Sequence, residues 1–396
     1  MSKFFFAFGM LLFSLQLIAQ PLQRVNPKRV EMDPKKFVYA DEVIQKAIDN
    51  REIPGAVLAV VRNGKMAYIK AYGNKQVYPD TVTMTVNTVF DLASVSKSVS
   101  TAMCAMVLLE QGKIRLLDNV SLHIPGFEGW EDEAGNKTNI KIVDLLTHTS
   151  GLPPYANVAE VKAKYGSPNP SGLITYISTC KRDFAPKSKF QYSCLNYITL
   201  QRIIETVSGQ NLRDFAKQHV FDVLGMTSTD YKPTGELLAR CASTEKQPDG
   251  SVLKGEVHDP LARIMNGGIS GNAGVFSTAD DLAILATALL NGGEYHKKRI
   301  LGPQTVRAMR TVPREVSSFG RTLGWDIYSP YASNTGDLFS SYTFGHTGYT
   351  GTSFVVDPYT NTAVILLTNA VHPEDKGSVV RLRSLVSNIV AGAIVE

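Results

Sequence analysis

The chain has 396 residues, of which 44% are hydrophobic and 19% are charged, and its formal net charge is +5 at pH 7. This balance is that of a globular protein with ample material for a core, arranged as one large fold with an insertion or as two to three domains. The positive excess is mild, and no run of Lys and Arg is interleaved with aromatic residues, so we expect no nucleic acid among the partners.

The N-terminus differs from the rest of the chain. After Lys3, the run FFFAFGMLLFSLQLIA is almost wholly apolar and stops at Gln20, which is the pattern of a secretory signal peptide. We therefore expect residues 1–20 to be a signal peptide cleaved near Ala19, and residues 21–36 to be an N-terminal linker. The protein is then exported, to the periplasm or the extracellular space, with no stable membrane span after cleavage. An uncleaved N-terminal anchor is the alternative.

The cysteines and histidines do not suggest a metal site. Export permits disulfides, but the four cysteines, Cys104, Cys180, Cys194 and Cys241, allow three full pairings, and the sequence does not choose among them. Neither the cysteines nor the seven histidines have the spacing of zinc ligands. We expect no metal and no organic cofactor, and the oligomeric state is left open.

The first half of the chain begins with a helix predicted over residues 37–53, which stops before Pro54-Gly55. Two β-rich runs then flank Asn63-Gly64, and this dipeptide between such runs is a strong hairpin signal. A long apolar helix follows the stretch FDLASVSKSVSTAM, residues 90–103. Residues 112–270 hold helical patches separated by loops rich in Pro and Gly.

The second half begins with a helix over residues 280–293 and then turns to strands in YTFGHTGYTGTSFVVDPYTNTAVILLTNA, before a final apolar helix. Strands near both ends predict one antiparallel sheet with helices packed on it, an α+β fold (an α/β sandwich) with an inserted all-helical domain. We place the sheet domain at residues 37–110 and 272–396, and the mostly helical insertion at residues 111–271.

The pattern Ser-x-x-Lys marks a candidate nucleophile with a base one helical turn away. It occurs four times, beginning at Ser94, Ser178, Ser243 and Ser251, but only Ser94 is followed by a sustained apolar helix. Only there is the lysine, Lys97, expected to be buried enough for its pKa to fall. A serine at a helix start also has its own N–H among the unpaired donors. The alternative reading of Ser94 is an ordinary N-cap.

Two further stretches carry candidate site residues. In FQYSCLNYITLQRIIE, Tyr192 comes just before an apolar helix, and a phenol can transfer protons where a cation lowers its pKa. In FGHTGYTGTSFVV, a strand begins with three glycines, which often mark close approach of a ligand to backbone. An N–H on that edge could be a second oxyanion donor. Taken singly, Tyr192 could be a packed aromatic residue and the glycines a bulge.

In this order the motifs S-V-S-K, Y-S-C and H-T-G resemble the serine β-lactamase and penicillin-binding-protein superfamily. The closest resemblance is to its class C-like branch of β-lactamases, D-alanyl-D-alanine carboxypeptidases, D-aminopeptidases and esterases. It extends from about residue 38 to residue 392 and includes the connecting stretches IVDLLTHTSGLP, NYITLQRIIETVSGQNLRDFAKQHVFDVLGM and GGISGNAGVFSTADDLA. The resemblance implies the β-lactamase/transpeptidase-like fold, with the active site between the sheet and the helical insertion.

The resemblance also implies a role for each matching residue. Ser94 is the acylated nucleophile, Lys97 and Tyr192 share general acid and base duty, and the backbone N–H groups of Ser94 and Tyr349 hold the oxyanion. The edge strand where substrate lies is formed by His346, Thr347 and Gly348. His148 and Ser150 in THTSGL are better interpreted as tying down a loop.

Two positions depart from the pattern of the family. Its second motif commonly reads Y-x-N, and here Cys194 stands in the place of the asparagine; a thiol cannot replace the donor and acceptor of a carboxamide. Asn196 is a possible substitute. His346 stands where efficient β-lactamases have Lys, and a histidine that is neutral near pH 7 attracts a substrate carboxylate weakly. Both departures argue against a dedicated antibiotic-hydrolysing enzyme.

The sequence therefore predicts an exported serine hydrolase that acts through an acyl-enzyme on a peptide, amide or ester carbonyl. The expected partner is a small molecule or a cell-wall peptide. The alternative is a non-hydrolytic penicillin-binding or sensor domain of the same fold, which the intact Ser94, Lys97 and Tyr192 disfavour.

Overall fold

The computed structural model describes residues 21–376 and 379–395. The predicted signal peptide lies outside the described residues. The strands of the described chain are β1 Gly55–Arg62, β2 Lys65–Gln76, β3 Val82–Thr83, β4 Phe90–Asp91, β5 Trp130–Glu131, β6 Lys137–Thr138, β7 Asp230–Tyr231, β8 Ser243–Lys246, β9 Val252–Lys254, β10 Val275–Ser277, β11 Glu294–Tyr295, β12 Lys298–Arg299, β13 Phe344–Thr347, β14 Ser353–Asp357 and β15 Thr362–Thr368.

The α-helices are α1 Phe37–Asp49, α2 Met103–Glu110, α3 Val120–His123, α4 Ile142–Leu146, α5 Val158–Tyr165, α6 Pro170–Thr179, α7 Cys194–Ser208, α8 Leu212–Ala216, α9 Asp222–Leu224, α10 Gly235–Arg240, α11 Ala279–Leu290, α12 Pro303–Met309 and α13 Val380–Gly392. A π-helical segment, Lys97–Ala102, leads into α2. Within the described ranges, no helix combines the length and the apolar character that a membrane crossing requires.

The main sheet is antiparallel and has six strands in the order β13-β14-β15-β1-β2-β3. β1 lies next to β15, so the two ends of the chain meet at the centre of the sheet, as the pattern of strands predicted. β1 and β2 form the expected hairpin around Asn63-Gly64. The α+β fold class with an antiparallel sheet is confirmed.

Helices cover both faces of this sheet, because alternate residues of β1 point to opposite sides. Ala56, Leu58 and Val60 pack in a cluster with apolar residues of α1 and α13. Val57, Ala59 and Val61 belong to a larger cluster that includes α2, α7 and α11. All of β1 is buried, which explains its continuous apolar run GAVLAVV.

The helices between residues 111 and 271 share the larger apolar cluster with the sheet. Leu195 and Ile198 of α7 belong to the same cluster as Val57 of β1. All six strands of the main sheet lie outside residues 111–271. The division of the chain at these residues stays a prediction. Residues 21–36, expected to be a linker, contribute the buried side chains of Leu22, Val30 and Met32.

A small three-stranded sheet, β4-β10-β7, brings distant parts of the chain together beside the main sheet. Phe276 of β10 pairs with Asp91 of β4. Leu92 N donates to Val275 O at 2.9 Å. This sheet therefore places the residues just after β4, which include Ser94, next to those just before β10.

Candidate active site

Ser94 lies on a tight turn directly after β4. Ala93 before it has a φ of 44°, a left-handed conformation that costs a residue with a β-carbon about 1–3 kcal/mol. The buried Asp91 carboxylate stabilises the turn, because it accepts hydrogen bonds from Ala93 N at 2.9 Å and from His258 N at 2.7 Å. The hydrogen bonds to Asp91 thus fix the turn just before the candidate nucleophile and join it to the segment at His258.

Lys97 is fully buried, as expected, and its ammonium contacts three elements of the site. Nζ donates to Ser94 Oγ at 2.9 Å and to the main-chain oxygen of Asn272 at 2.8 Å, and lies 3.6 Å from Cys194 Sγ. Burial is the largest single effect and lowers the pKa of Lys97, whereas negative charge at Cys194, Tyr192 and Asp259 raises it. The net pKa is raised, so the expected fall in pKa is wrong, and Lys97 is an ammonium in the resting site.

Tyr192 lies across the site from Ser94, and its ring centroid is 5.0 Å from Lys97 Nζ. Its hydroxyl oxygen is buried without a hydrogen-bond partner in the part of the chain that the structure describes. Burial raises the pKa of Tyr192, whereas the charge of Lys97 opposes this rise, and the net direction is upward. The phenol is therefore protonated at rest.

The loop that carries Tyr192 is held by the THTSGL stretch. The ring of His148 stacks on that of Tyr192 with centroids 4.4 Å apart, and His148 Nδ1 accepts from Ser193 N at 3.1 Å. Burial and the nearby charges of Arg321 and Lys97 hold the pKa of His148 well below its usual value, so it is neutral. Its contacts are those of a residue that orients a loop.

The strand β13 ends against the turn that carries Ser94. Thr350 Oγ1 donates to Asp91 O at 2.8 Å, and Thr352 Oγ1 donates to Leu92 O at 2.9 Å. A β-carbon on Gly348 would lie 2.4 Å from Leu92 O, so the H-T-G motif requires glycine here. Gly348 therefore permits a close approach between the edge strand and the backbone of Leu92, and not between the strand and a ligand.

The two expected oxyanion donors border one cavity. The backbone N–H groups of Ser94 and Tyr349 have no acceptor among the described residues. A cavity of about 420 Å³, which we call the edge-strand cavity, is lined by Ser94, Tyr192, Thr347, Gly348, Tyr349 and Arg383. Two free amide donors beside the candidate nucleophile are what an oxyanion site requires.

His346 is only 2% exposed, and both of its ring nitrogens contact protein atoms. Nδ1–H donates to Thr347 O at 2.8 Å, and Nε2 lies 3.4 Å from Arg321 Nη2. Burial and the charge of Arg321 hold the pKa of His346 well below its usual value, so the ring is neutral. Arg321 is itself fully buried and forms an ion pair with Asp326.

Cys194 stands where the family commonly has an asparagine, and Asn196 was the possible substitute for its carboxamide. Asn196 is fully buried and is held by Ser150 Oγ at 2.5 Å and by His148 Nδ1 at 3.1 Å. Asn272, a residue that the sequence analysis missed, lies beside Lys97 instead. Its Oδ1 accepts from Ser270 Oγ at 2.6 Å, and its Nδ2 is buried without a partner in the described chain.

A second cavity of about 450 Å³ borders the same serine. We call it the acidic cavity; it is lined by Ser94, Tyr192, Cys194, Glu245, Asp259 and Asp375. The three carboxylates come from separate loops and strands, and the sequence analysis identified none of them. No local pattern could have done so, since positions 245, 259 and 375 meet only in the folded chain.

Comparison with known proteins identifies the family of this chain. The beta-lactamase family model matches residues 40–386. The protein named "Putative D-alanyl-D-alanine carboxypeptidase" from Escherichia coli (strain K12) is 32% identical over 377 residues, which cover 89% of this chain and 86% of that protein. An N-acetylmuramyl-L-alanine amidase from Bacillus subtilis (strain 168) is 32% identical over 383 residues, which cover 88% of this chain and 84% of that protein.

Among solved structures, the fold is similar to that of EstCE1, described as a hydrolase with promiscuous acyltransferase activity. The TM-score is 0.73 at 24% sequence identity, and the match covers 90% of this chain and 98% of that one. Similarity at this identity bears on the fold alone. With the family match over most of the chain, it follows that the chain belongs to the beta-lactamase family and is a β-lactamase-related serine hydrolase.

Proposed function

We propose that this hydrolase cleaves peptides that end in a D-amino acid, or related amides and esters, with Ser94 as its nucleophile. The observation that carries the proposal is the 2.9 Å contact between Ser94 Oγ and the fully buried Lys97 Nζ. A buried lysine against a serine hydroxyl, with a free phenol opposite, is an arrangement suited to covalent acyl transfer. The relatives named carboxypeptidase and amidase support amide bonds as the target.

In the proposed mechanism, the pair formed by Lys97 and Tyr192 first loses one proton to solvent. Ser94 Oγ then attacks the carbonyl carbon, and its proton passes to this pair. The amides of Ser94 and Tyr349 stabilise the resulting oxyanion. When the intermediate collapses, the bond to the leaving group breaks, and the leaving group takes a proton from the pair. A water molecule then attacks the ester carbonyl and gives a proton to the pair. When this second intermediate collapses, the bond between the acyl carbon and Ser94 Oγ breaks, Ser94 takes the proton back from the pair, and the carboxylic acid product leaves.

The same geometry disfavours a dedicated β-lactamase. The neutral, buried His346 attracts a substrate carboxylate less than a lysine would. Cys194 also lacks the paired donor and acceptor of a carboxamide. We therefore propose D-alanyl-D-alanine peptides, D-amino amides and small esters as the first substrates to test.

The experiment is a substrate panel combined with covalent labelling. We expect a fluorophosphonate to label the protein at Ser94, and turnover of the best substrate to fall by roughly 10⁴-fold or more in Ser94→Ala. The matched control is Ser251→Ala, which changes an exposed serine in another Ser-x-x-Lys match. A stable label without turnover favours the sensor domain, and a wild type that neither labels nor turns over any substrate contradicts the proposal.

We further propose that the protein is exported and acts on the cell-wall side of the membrane. The pattern of residues 1–20 and the cell-wall substrates in the names of its relatives support this. N-terminal sequencing of the protein produced from the full chain should find a start near Gln20. An intact Met1 in the membrane fraction indicates an uncleaved anchor instead.

A further inference from the structure

We propose that the acidic cavity binds a protonated primary amine on the acyl part of the substrate, with Asp259 as its main anchor. The inference rests on the proposed function, because it assumes that Ser94 is acylated. It goes further by naming the chemistry of the group that the enzyme prefers on the acyl part.

The cavity is part of the reaction site and is not a separate surface feature. Ser94, Tyr192 and Cys194 line it together with the three carboxylates. The buried Tyr192 hydroxyl, which has no partner among the described residues, lines the same space. A substrate whose carbonyl reaches Ser94 and whose acyl part enters this cavity therefore lies near these carboxylates.

The Asp259 carboxylate is held in position without a cationic partner. Oδ2 accepts from the Tyr155 hydroxyl at 3.1 Å, and Oδ1 accepts from Ala262 N at 2.8 Å. Tyr155 is held in turn, because its oxygen accepts from Leu261 N at 3.0 Å. No Lys or Arg contacts Asp259 within the described ranges, although its negative charge also raises the pKa of the buried Lys97. Its carboxylate oxygens therefore accept hydrogen bonds only from neutral groups and can accept another from a ligand.

The carboxylates of Glu245 and Asp375 add negative charge to the acidic cavity. Glu245 lies 3.2 Å from His258 Nε2, and Asp375 accepts from the Tyr349 hydroxyl at 2.6 Å. The chain as a whole carries a formal net charge of +5, so this cluster of three acidic side chains is opposite in sign to the net charge of the molecule. A partly desolvated carboxylate strengthens its hydrogen bond to an ammonium, because both groups are charged.

The two cavities differ in charge, which decides where each part of the substrate goes. Arg383 lines the edge-strand cavity, whereas Asp326 on that side is neutralised by Arg321. A leaving amino acid carries a free carboxylate, so it fits the side of Arg383. The acidic cavity is left to the acyl part, and Asp375 borders both cavities.

The test uses p-nitroanilides, because their leaving group is the same and only the acyl part varies. D-Alanine p-nitroanilide against its N-acetyl form tests an α-amine, and Nα-acetyl-D-lysine against Nα-acetyl-D-norleucine p-nitroanilide tests a distal amine. We expect one charged substrate to exceed its neutral partner in kcat/KM by about 10- to 100-fold, the range of a charged hydrogen bond. The pair that shows the preference identifies the position of the amine.

Asp259→Asn keeps the shape of the side chain and removes its charge. We expect it to lower kcat/KM for the charged substrate by much more than kcat/KM for the neutral partner, so that most of the preference is lost. Glu245→Gln should reduce the preference less, and Asp49→Asn on α1, beyond the opposite face of the sheet, should not change it. Turnover of the neutral substrate shows that each variant is folded.

Equal turnover of charged and neutral partners by the wild type overturns the inference, as does an equal loss for both in Asp259→Asn. If a fluorophosphonate labels Ser94 but no anilide is cleaved, the inference also fails, while Ser94 stands as the nucleophile. If neither label nor cleavage occurs, the proposed function fails with it.

Discussion

Lys97 contacts atoms from three stretches of chain, and these contacts define its chemistry. Ser94 is one helical turn away, Cys194 begins α7, and Asn272 precedes β10. Burial alone lowers the pKa of a lysine by favouring the neutral amine. Here the net pKa is raised, and Lys97 donates to an oxygen of both Ser94 and Asn272. In the resting site both Lys97 and Tyr192 are protonated. This pair must therefore lose one proton before it can accept the proton of Ser94.

This excess proton predicts how activity depends on pH. Because the pKa values of both Lys97 and Tyr192 are raised, the form that can act as a base grows as pH increases. We expect kcat/KM for a neutral ester to rise with pH through the alkaline range, up to the limit of stability. Ser94→Ala, measured at each pH, corrects for alkaline hydrolysis of the ester itself. A profile that falls above neutral pH contradicts this assignment.

At the scale of elements, helix α13 supports the end of the edge strand. Nη2 of Arg383 donates to Gly348 O at 2.6 Å and to Thr352 O at 3.0 Å, so this side chain closes the turn that presents the amide of Tyr349. Arg383 is 7% exposed, which protects both hydrogen bonds from water. The position of one proposed oxyanion donor, the amide of Tyr349, thus depends on a residue of the last helix.

We expect Arg383→Met, which keeps the length and apolar stem of the side chain, to lower the free energy of unfolding by about 1.5–3 kcal/mol, the contribution of hydrogen bonds to a charged group. It should also lower kcat, because the turn that carries Tyr349 N loosens. Urea unfolding and steady-state kinetics measure the two effects. Arg381→Met on the exposed side of the same helix is the control. A variant with full kcat and reduced stability shows that Arg383 does not position the oxyanion donor.

The elements themselves were only partly predictable. The hairpin around Asn63-Gly64, helix α1 and the strands β14 and β15 follow from hydrophobic periodicity and turn residues, and all were expected. The π-helical segment that contains Lys97 was not, because nothing local distinguishes it from an α-helix. Short strands such as β4 and β10 have only two or three residues. They are strands because they pair with segments that are distant along the chain, which local sequence does not indicate.

At the scale of the whole molecule, one apolar cluster joins the sheet to the helices of residues 111–271. It includes Val57 of β1, Met106 of α2, Leu195 of α7 and Leu285 of α11. A domain with its own core can unfold independently, but elements that share a core lose their contacts together. The helical region is therefore coupled to the sheet even if its boundaries are drawn as predicted.

We expect thermal unfolding of the protein to follow one cooperative transition. Calorimetry should give a calorimetric enthalpy equal to the van't Hoff enthalpy, and circular dichroism and tryptophan fluorescence should give the same midpoint. Two resolved transitions, or a soluble and folded fragment of residues 111–271, would falsify the coupling.

The sequence by itself determined the family, the fold class and the order of the motifs around Ser94, Tyr192 and H-T-G. These are local patterns, in which spacing and the surrounding apolar runs carry the information. It also indicated that Lys97 is buried, because the helix that follows it is apolar throughout.

Only the tertiary structure decided the electrostatics and the shape of the site. The pKa of Lys97 depends on Cys194 and Tyr192, the neutrality of His346 is reinforced by Arg321, and the acidic cavity unites Glu245, Asp259 and Asp375. Charge interactions depend on distances in space and on burial, and neither is encoded by positions along the chain. The sequence could therefore predict which serine is the candidate nucleophile, whereas the charges around that serine required the folded molecule.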